Sequence, residues 1–530
     1  MKTSPKNRNR PARGHIPTRN GLTQNKFGFD VLSDNPFTIF PYLQKRAREC
    51  LDVSEILDLS RGDPGLGYSP AQRSRQFFGF LCILDTALNS NETGFRVHTA
   101  KKADLSKVMD MIRKAANASF KPRVAQEGLD TLDDVCKKLI ALAAAEGTKL
   151  TKLDVLKGIF NYSTLLGGTY HTPQGEKIVR IAVAGAYRKT LAHKDIRSGD
   201  LIFTLGVNDA IGSIFKMLGT EGLGFLKPGD TVAASSPGYS PYYNEIIARK
   251  LKIAELPIAA NTKHDFDEAE RVKGIKAFFL ISPNNPTGIA YSREAAQQLA
   301  RMAEKNDAII IVDEVYASFF DDFQSIWNLA EKRTIRLAGR SKIERSPGLR
   351  FGDVLITKKT NDYLTHHLLK NHLVGQDFRT YYLGAKAPGG MHGSFQHTAA
   401  VPGPSQILGM LHILLGERDR RAYIAMVRKN MTAFFKELGL PHHGEMYYGL
   451  FDLNRVPGCN AQNISINQKL FELATRHGVI LIPAMRFFSE VAQKAGDKSN
   501  FVRVSLPNLP TSRVKEAARR IRTYLENPGA

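Results

Sequence analysis

"IKAFFLISPNNPTGIAYSREAAQQLARMAEKNDAIIIVDEVYASF", residues 275–319, holds two short apolar runs with a helical stretch between them. The first run stops at a turn rich in Asn, Pro and Gly, residues that favour turns for distinct backbone reasons. The second run, 308–312, ends on Asp313. Short, continuously apolar strands separated by amphipathic helices are the pattern of a largely parallel sheet covered on both faces.

The same alternation extends outward over about residues 165–360. "DLIFTLGVNDAIGSIFKML" (200–218) reads as strand, glycine turn and helix, with the helix opening near Asn208. "DTVAASSPGYSP" (230–241), "RTIRLAGRSK" (333–342) and "GDVLIT" (352–357) each begin with a β-like run. In open parallel sheets, ligands bind beyond the carboxyl ends of the strands, so these post-strand loops are expected to converge on one site. The flanking regions differ. Residues 66–160 read as a helical insertion, in which "DDVCKKLIALAAAEG" (133–147) has Asp133 as a candidate N-cap and Gly147 as a stop. "MYYGLFDL", "GVILIPA" and "FVRVSLP", between helices after residue 406, predict a smaller α/β lobe. The expected division is a basic disordered tail (1–35), an arm of the small domain (36–65), the helical insertion (66–160), a large domain (161–405) and a small C-terminal domain (406–530).

The chain has 530 residues, 42% of them hydrophobic and 24% charged, as expected of a folded protein with more than one lobe. Its apolar runs are too short to span a membrane. No signal-peptide stretch opens the sequence and four scattered cysteines show no CxxC spacing, which predicts a cytoplasmic protein without a metal site. The net charge of +23 invites a nucleic-acid partner. However, residues 1–30, with seven Lys or Arg, are too short and irregular to hold a helix-turn-helix. Small anionic molecules are the alternative partners for that charge.

"SPNNPTG" (282–288), "DEVY" (313–316), "SK" (341–342) with Arg350 eight residues on, and "FVRVS" (501–505) occur in one order. That ordered set resembles fold-type-I pyridoxal-phosphate enzymes of the aminotransferase class I/II family, over roughly residues 58–65 and 165–515. The resemblance implies an α/β large domain with a mostly parallel mixed sheet and pyridoxal 5'-phosphate as cofactor. Lys342 then matches the Schiff-base lysine, an amine being what the cofactor aldehyde requires. Asp313 matches the carboxylate on the ring nitrogen, and Tyr316 and Asn285 the pair on the phenolic oxygen. Gly206, Val207 and Asn208, at a helix N-terminus, match the phosphate cup, together with Ser341 and Arg350. Gly339 stands where the family often has another serine. Tyr239 matches the residue stacked on the ring. Tyr170 matches a tyrosine reaching the neighbouring subunit's phosphate, which implies a homodimer with shared sites, or a higher oligomer.

At the substrate end, Arg503 matches the clamp for an amino acid's α-carboxylate, Gly62 the closing turn, and Arg61 a candidate for a distal carboxylate. The 108 positions from Gly62 to Tyr170 exceed what class members ordinarily place there. That layout, with the Arg61–Gly62 pair, is similar to bifunctional aspartate aminotransferase/aspartate 4-decarboxylases. Asp63 departs from their usual Asn, and "AGRSKIE" from their lysine loop, with Arg340 and Arg345 as added charges. The reaction therefore stays open between transamination, β-decarboxylation, and elimination, replacement or annulation at Cβ or Cγ with a larger anionic cosubstrate. A non-catalytic pyridoxal-phosphate-domain regulator would need a DNA-binding domain ahead of residue 58, and residues 1–30 do not supply one.

Overall fold

The computed structural model describes residues 27–64, 72–89, 96–160, 165, 174–219, 224–258, 266–363, 401–441, 446–489 and 499–529. After a short strand β1 (Leu57–Asp58), seven strands form one sheet. They are β2 (Leu201–Thr204), β3 (Thr231–Ser236), β4 (Lys252–Pro257), β5 (Ile275–Ile281), β6 (Ile309–Asp313), β7 (Thr334–Gly339) and β8 (Gly352–Leu355). Their spatial order is β2-β8-β7-β6-β5-β3-β4, parallel throughout except that β8 runs against both neighbours. Because β8 is reversed, the residues entering it lie at the same edge as the carboxyl ends of the others. Arg350, two residues before β8, joins the loops after β2, β3, β5, β6 and β7 there.

The apolar runs are continuous because both faces are covered. Phe279, Ile281, Ile309 and Ile311 belong to one core layer, and their sequence neighbours Phe278, Leu280, Ile310 and Val312 to the opposite one. Each such side chain contributes about 1.5–3 kcal/mol on full burial. The helix Arg293–Lys305 starts where Ser292 accepts a hydrogen bond from the Ala295 amide (3.2 Å) and buries Ala296, Leu299 and Ala303.

Helices Gln72–Asn89, Leu105–Ser119, Pro122–Ala144 and Lys152–Ile159 share one core with Lys177–Thr190 and Gly403–Leu415. Here one expectation is corrected. The third of these helices begins at Pro122, whose fixed φ suits the first helical position, so Asp133 is not its cap. Asp133 instead lies inside the helix and meets Lys137 and Lys152, each at 2.7 Å. Gly147 does follow the end of the helix, in the left-handed region.

The C-terminal strands are β9 (Tyr448–Asp452), β10 (Val479–Ile480), β11 (Ile482–Pro483) and β12 (Phe501–Ser505). β11, β12 and β9 form an antiparallel sheet, and β10 pairs in parallel with β1. "GVILIPA" thus divides between two sheets. Among the described residues no helix is long and apolar enough to cross a membrane, and no group of three or more His, Cys, Asp or Glu could hold a metal ion.

Candidate active site

A cavity of about 310 Å³ opens at the edge where the strand ends meet. Gly62, Gly206, Val207, Asn208, Tyr239, Asn285, Asp313, Tyr316, Ser341, Lys342, Arg350 and Arg503 all border it. Arg61 does not. Its guanidinium turns to Asp58 (3.3 Å) and Gln44 (3.4 Å), and its side chain is half exposed. Tyr170 and most of the basic tail lie outside the described residues.

Asp313 closes β6 and is 2% exposed. Its carboxylate accepts hydrogen bonds from the Tyr242 hydroxyl (2.7 Å) and the Val315 amide (3.0 Å). Burial still dominates and pushes its pKa up to about 6. Its neighbour Glu314 serves the scaffold, pairing with Arg336 at 2.6 Å and accepting from Ser325. In the turn after β5, Asn284 is likewise structural, donating to Pro237 O (2.9 Å) and accepting from the Thr287 amide, while Asn285 faces the cavity.

Gly206 precedes the helix Val207–Leu218 with φ of 91°, a backbone that side chains disfavour. An added Cβ there would stand 3.1 Å from the Arg350 guanidinium. The bare turn and the helix N-terminus therefore face that cation with nothing between them, a fitting cradle for a phosphate. Arg350 itself is left-handed (φ 48°) and donates to Leu205 O at 3.1 Å. Gly339 has a steric reason: a Cβ on it would lie 3.2 Å from Val207 Cγ2, so the valine fills space that a serine would need. Tyr239 meets Tyr242 edge-on at 5.0 Å and Phe37 at 6.1 Å.

Lys342 Nζ donates to Gly62 O at 2.5 Å, and the Tyr447 hydroxyl donates to the same oxygen at 3.0 Å. Arg503, 2% exposed, reaches Asn285 Oδ1 (3.2 Å) and Ser60 O (2.8 Å) and lies over the Tyr448 ring at 4.4 Å. Its buried Nε has no hydrogen-bond partner among the described residues. A buried donor left unpaired is costly, which marks a place for an anionic ligand. Arg340 does not serve the cavity: it is buried against Asp353 (3.0 Å) and the Tyr187 hydroxyl (3.0 Å). Arg345 packs over the Tyr423 ring at 4.9 Å. Sequence reasoning missed Phe37, Tyr447 and Tyr448; two adjacent tyrosines opening a C-terminal strand were the available signal.

These residues fit pyridoxal phosphate at three points: an amine, a buried carboxylate and a cationic cradle at a helix N-terminus. Asp313 makes the carboxylate testable without the cofactor. A carboxyl group with a raised folded pKa adds stability below its unfolded value and loses it as pH rises through the folded one. The cofactor-free protein is therefore expected to lose about 3 kcal/mol through this group between pH about 4 and about 6. Asp313→Asn should remove that slope in urea titrations at several pH values, while weakening retention of the cofactor.

Comparison with known proteins agrees. The family description "Aminotransferase class I and II" matches residues 167–521. A bifunctional aspartate aminotransferase and L-aspartate beta-decarboxylase from a Pseudomonas species is 27% identical over 332 residues, 55% of this chain and 62% of that protein. An aspartate aminotransferase from Thermotoga maritima is 34% identical over 174 residues, 31% of this chain and 44% of its own length. The match thus spans less than two thirds of either relative. Among solved structures, an aromatic aminotransferase from Pyrococcus horikoshii superposes with a TM-score of 0.56 at 17% identity, covering 92% of this chain and 99% of that one. At such identity the likeness concerns the fold alone. The matched segment includes every strand of the seven-stranded sheet and every residue of the cavity from Gly206 to Arg503, and on that ground the chain belongs to the aminotransferase class I and II family of pyridoxal-phosphate enzymes.

Proposed function

We propose that the chain is a transferase that moves the amino group of an amino acid, with Lys342 as the covalent anchor of the cofactor and Arg503 as the clamp for the α-carboxylate. The observation that carries this reading is the convergence of Lys342, Asp313, Arg350 and Arg503 on one cavity. When bound, pyridoxal phosphate supplies an aldehyde and an electron sink for charge developing at Cα. The chain supplies the rest. Lys342 Nζ takes the proton from Cα as general base. Asp313, buried at the end of its strand, would offer a carboxylate to a positive ring nitrogen, and Tyr316 and Asn285 would hold the cofactor's phenolic oxygen. Arg503 is planar and braced by Asn285 and Ser60, so it can meet a carboxylate bidentately.

The finer reading is an aspartate aminotransferase that can also remove the β-carboxylate of aspartate as CO2 to leave alanine, supported by the Pseudomonas relative. We further propose a homodimer in which Tyr170 reaches the neighbouring phosphate, working in the cytoplasm, where its four free cysteines suit a reducing milieu. Proton NMR of a panel of amino acids in deuterated water, with added pyridoxal phosphate, tests the reaction. Loss of the Cα signal with keto-acid formation is expected, and alanine arising from aspartate identifies decarboxylation. A panel in which no Cα proton exchanges would overturn the assignment.

A further inference from the structure

We propose that Tyr448 is a second acid–base residue of this site, its phenol oxygen taking the proton that the Lys342 ammonium must give up before its amine can act. The inference rests on the function proposed above. Its basis is the geometry around Gly62, where three polar side chains meet. A Cβ on Gly62 would stand 2.5 Å from the Tyr448 hydroxyl and 3.5 Å from Lys342 Nζ, so both polar groups border the space that the bare glycine leaves open. The Gly62 carbonyl accepts from Lys342 and from Tyr447, which fixes the amine in place. A carbonyl can hold an ammonium but cannot take its proton. A phenolate can, and the phenol oxygen of Tyr448, hydrogen-bonded to the Tyr316 hydroxyl at 3.3 Å, borders the same glycine as the amine.

The surroundings favour the charged form of Tyr448. The Tyr316 hydroxyl donates to its oxygen at 3.3 Å, and the Arg503 guanidinium covers its ring at 4.4 Å. Among the described residues, the charged and titratable groups around it are Lys342, Arg503 and the phenols of Tyr316, Tyr447, Tyr239, Tyr242 and Tyr423, with Asp63, Asp313 and Arg350 bordering the same cavity. Burial drives Tyr316 and Tyr447 well above the ordinary phenol range, so both remain donors. Burial pushes Tyr448 up as well, but the cations of Lys342 and Arg503 outweigh it and hold this phenol below its usual value. In the transfer, an N–H bond of the ammonium breaks with its electron pair staying on nitrogen. An O–H bond forms on the phenolate, and the two opposite charges cancel.

The test uses Tyr448→Phe and Lys342→Ala, each with and without pyridoxal phosphate. In the cofactor-free chain, the pH-dependent tyrosinate absorbance of wild type minus Tyr448→Phe should show one phenol ionising below the ordinary tyrosine range. Lys342→Ala should move that ionisation upward, a comparison that does not depend on the phenylalanine variant. With cofactor, Tyr448→Phe should keep the visible band of the lysine-bound cofactor, lose about 10²-fold in kcat and keep its KM. A retained band without any early-ionising phenol, or with kcat within about twofold of wild type, would overturn the role of Tyr448 alone. Absence of the band from the wild-type chain would count against the function itself.

Discussion

Lys342→Ala is expected to remove the visible absorbance of the bound cofactor and to lower turnover by about 10³-fold or more, because in the function proposed above one amine serves as both anchor and Cα base. The fold should survive. Lys342 is only partly buried, and the Gly62 carbonyl it releases still accepts from Tyr447 at 3.0 Å, so no buried acceptor is orphaned. A stability change of about 1 kcal/mol in urea unfolding, beside an inactive and colourless protein, is the predicted pair of results. A coloured variant would show that another group holds the cofactor.

Arg503→Ala should have the next largest effect. The guanidinium is buried, braced on two sides and left with an unpaired Nε, so its removal takes away a desolvated charge partner. Loss of one member of such a pair costs about 2–5 kcal/mol, or roughly 30- to 4000-fold in kcat/KM for an amino acid. An amine substrate of the same shape without a carboxylate should lose little, which separates carboxylate recognition from general damage. Arg503→Lys should recover only part of the loss, since a point charge cannot reproduce the planar fork. Unchanged amino-acid binding in Arg503→Ala would refute the clamp.

Much of this arrangement is legible in residue order. Apolar runs without alternation mean strands buried on both faces, and parallel strands bring their ends to one edge, so Asp313, Asn285, Ser341 and Lys342 can be placed together before any coordinates. What stays hidden is side-chain direction. In "MYYGLFDL" strict alternation would send Tyr447 and Tyr448 to opposite faces, but the strand begins only at Tyr448, opposite Ser505 of β12, and both tyrosines reach Gly62. Arg340 shows the same limit. Its amide continues the ladder by bonding Phe351 O (3.0 Å), which commits its side chain to Tyr187 and Asp353 rather than to the cavity two residues further on. Phe37 reaches the site from a helix 171 positions before Asn208 in sequence, and no local pattern reports such a contact.

The ion pairs behind the cavity bear on how this protein can change over time. Arg336–Glu314 and Arg340–Asp353 are buried within the strands and turns that also carry Asp313, Ser341 and Lys342, with both guanidinium groups against the Tyr187 ring. Losing one partner strands a buried charge at about 3–5 kcal/mol, whereas exchanging both for well-packed apolar residues is often neutral. Single substitutions at these four positions are therefore closed to gradual divergence, and they should change in pairs or remain. Drift toward a new substrate has freer routes in the cavity wall contributed by Phe37 and Asp63, which lie outside this charged lattice.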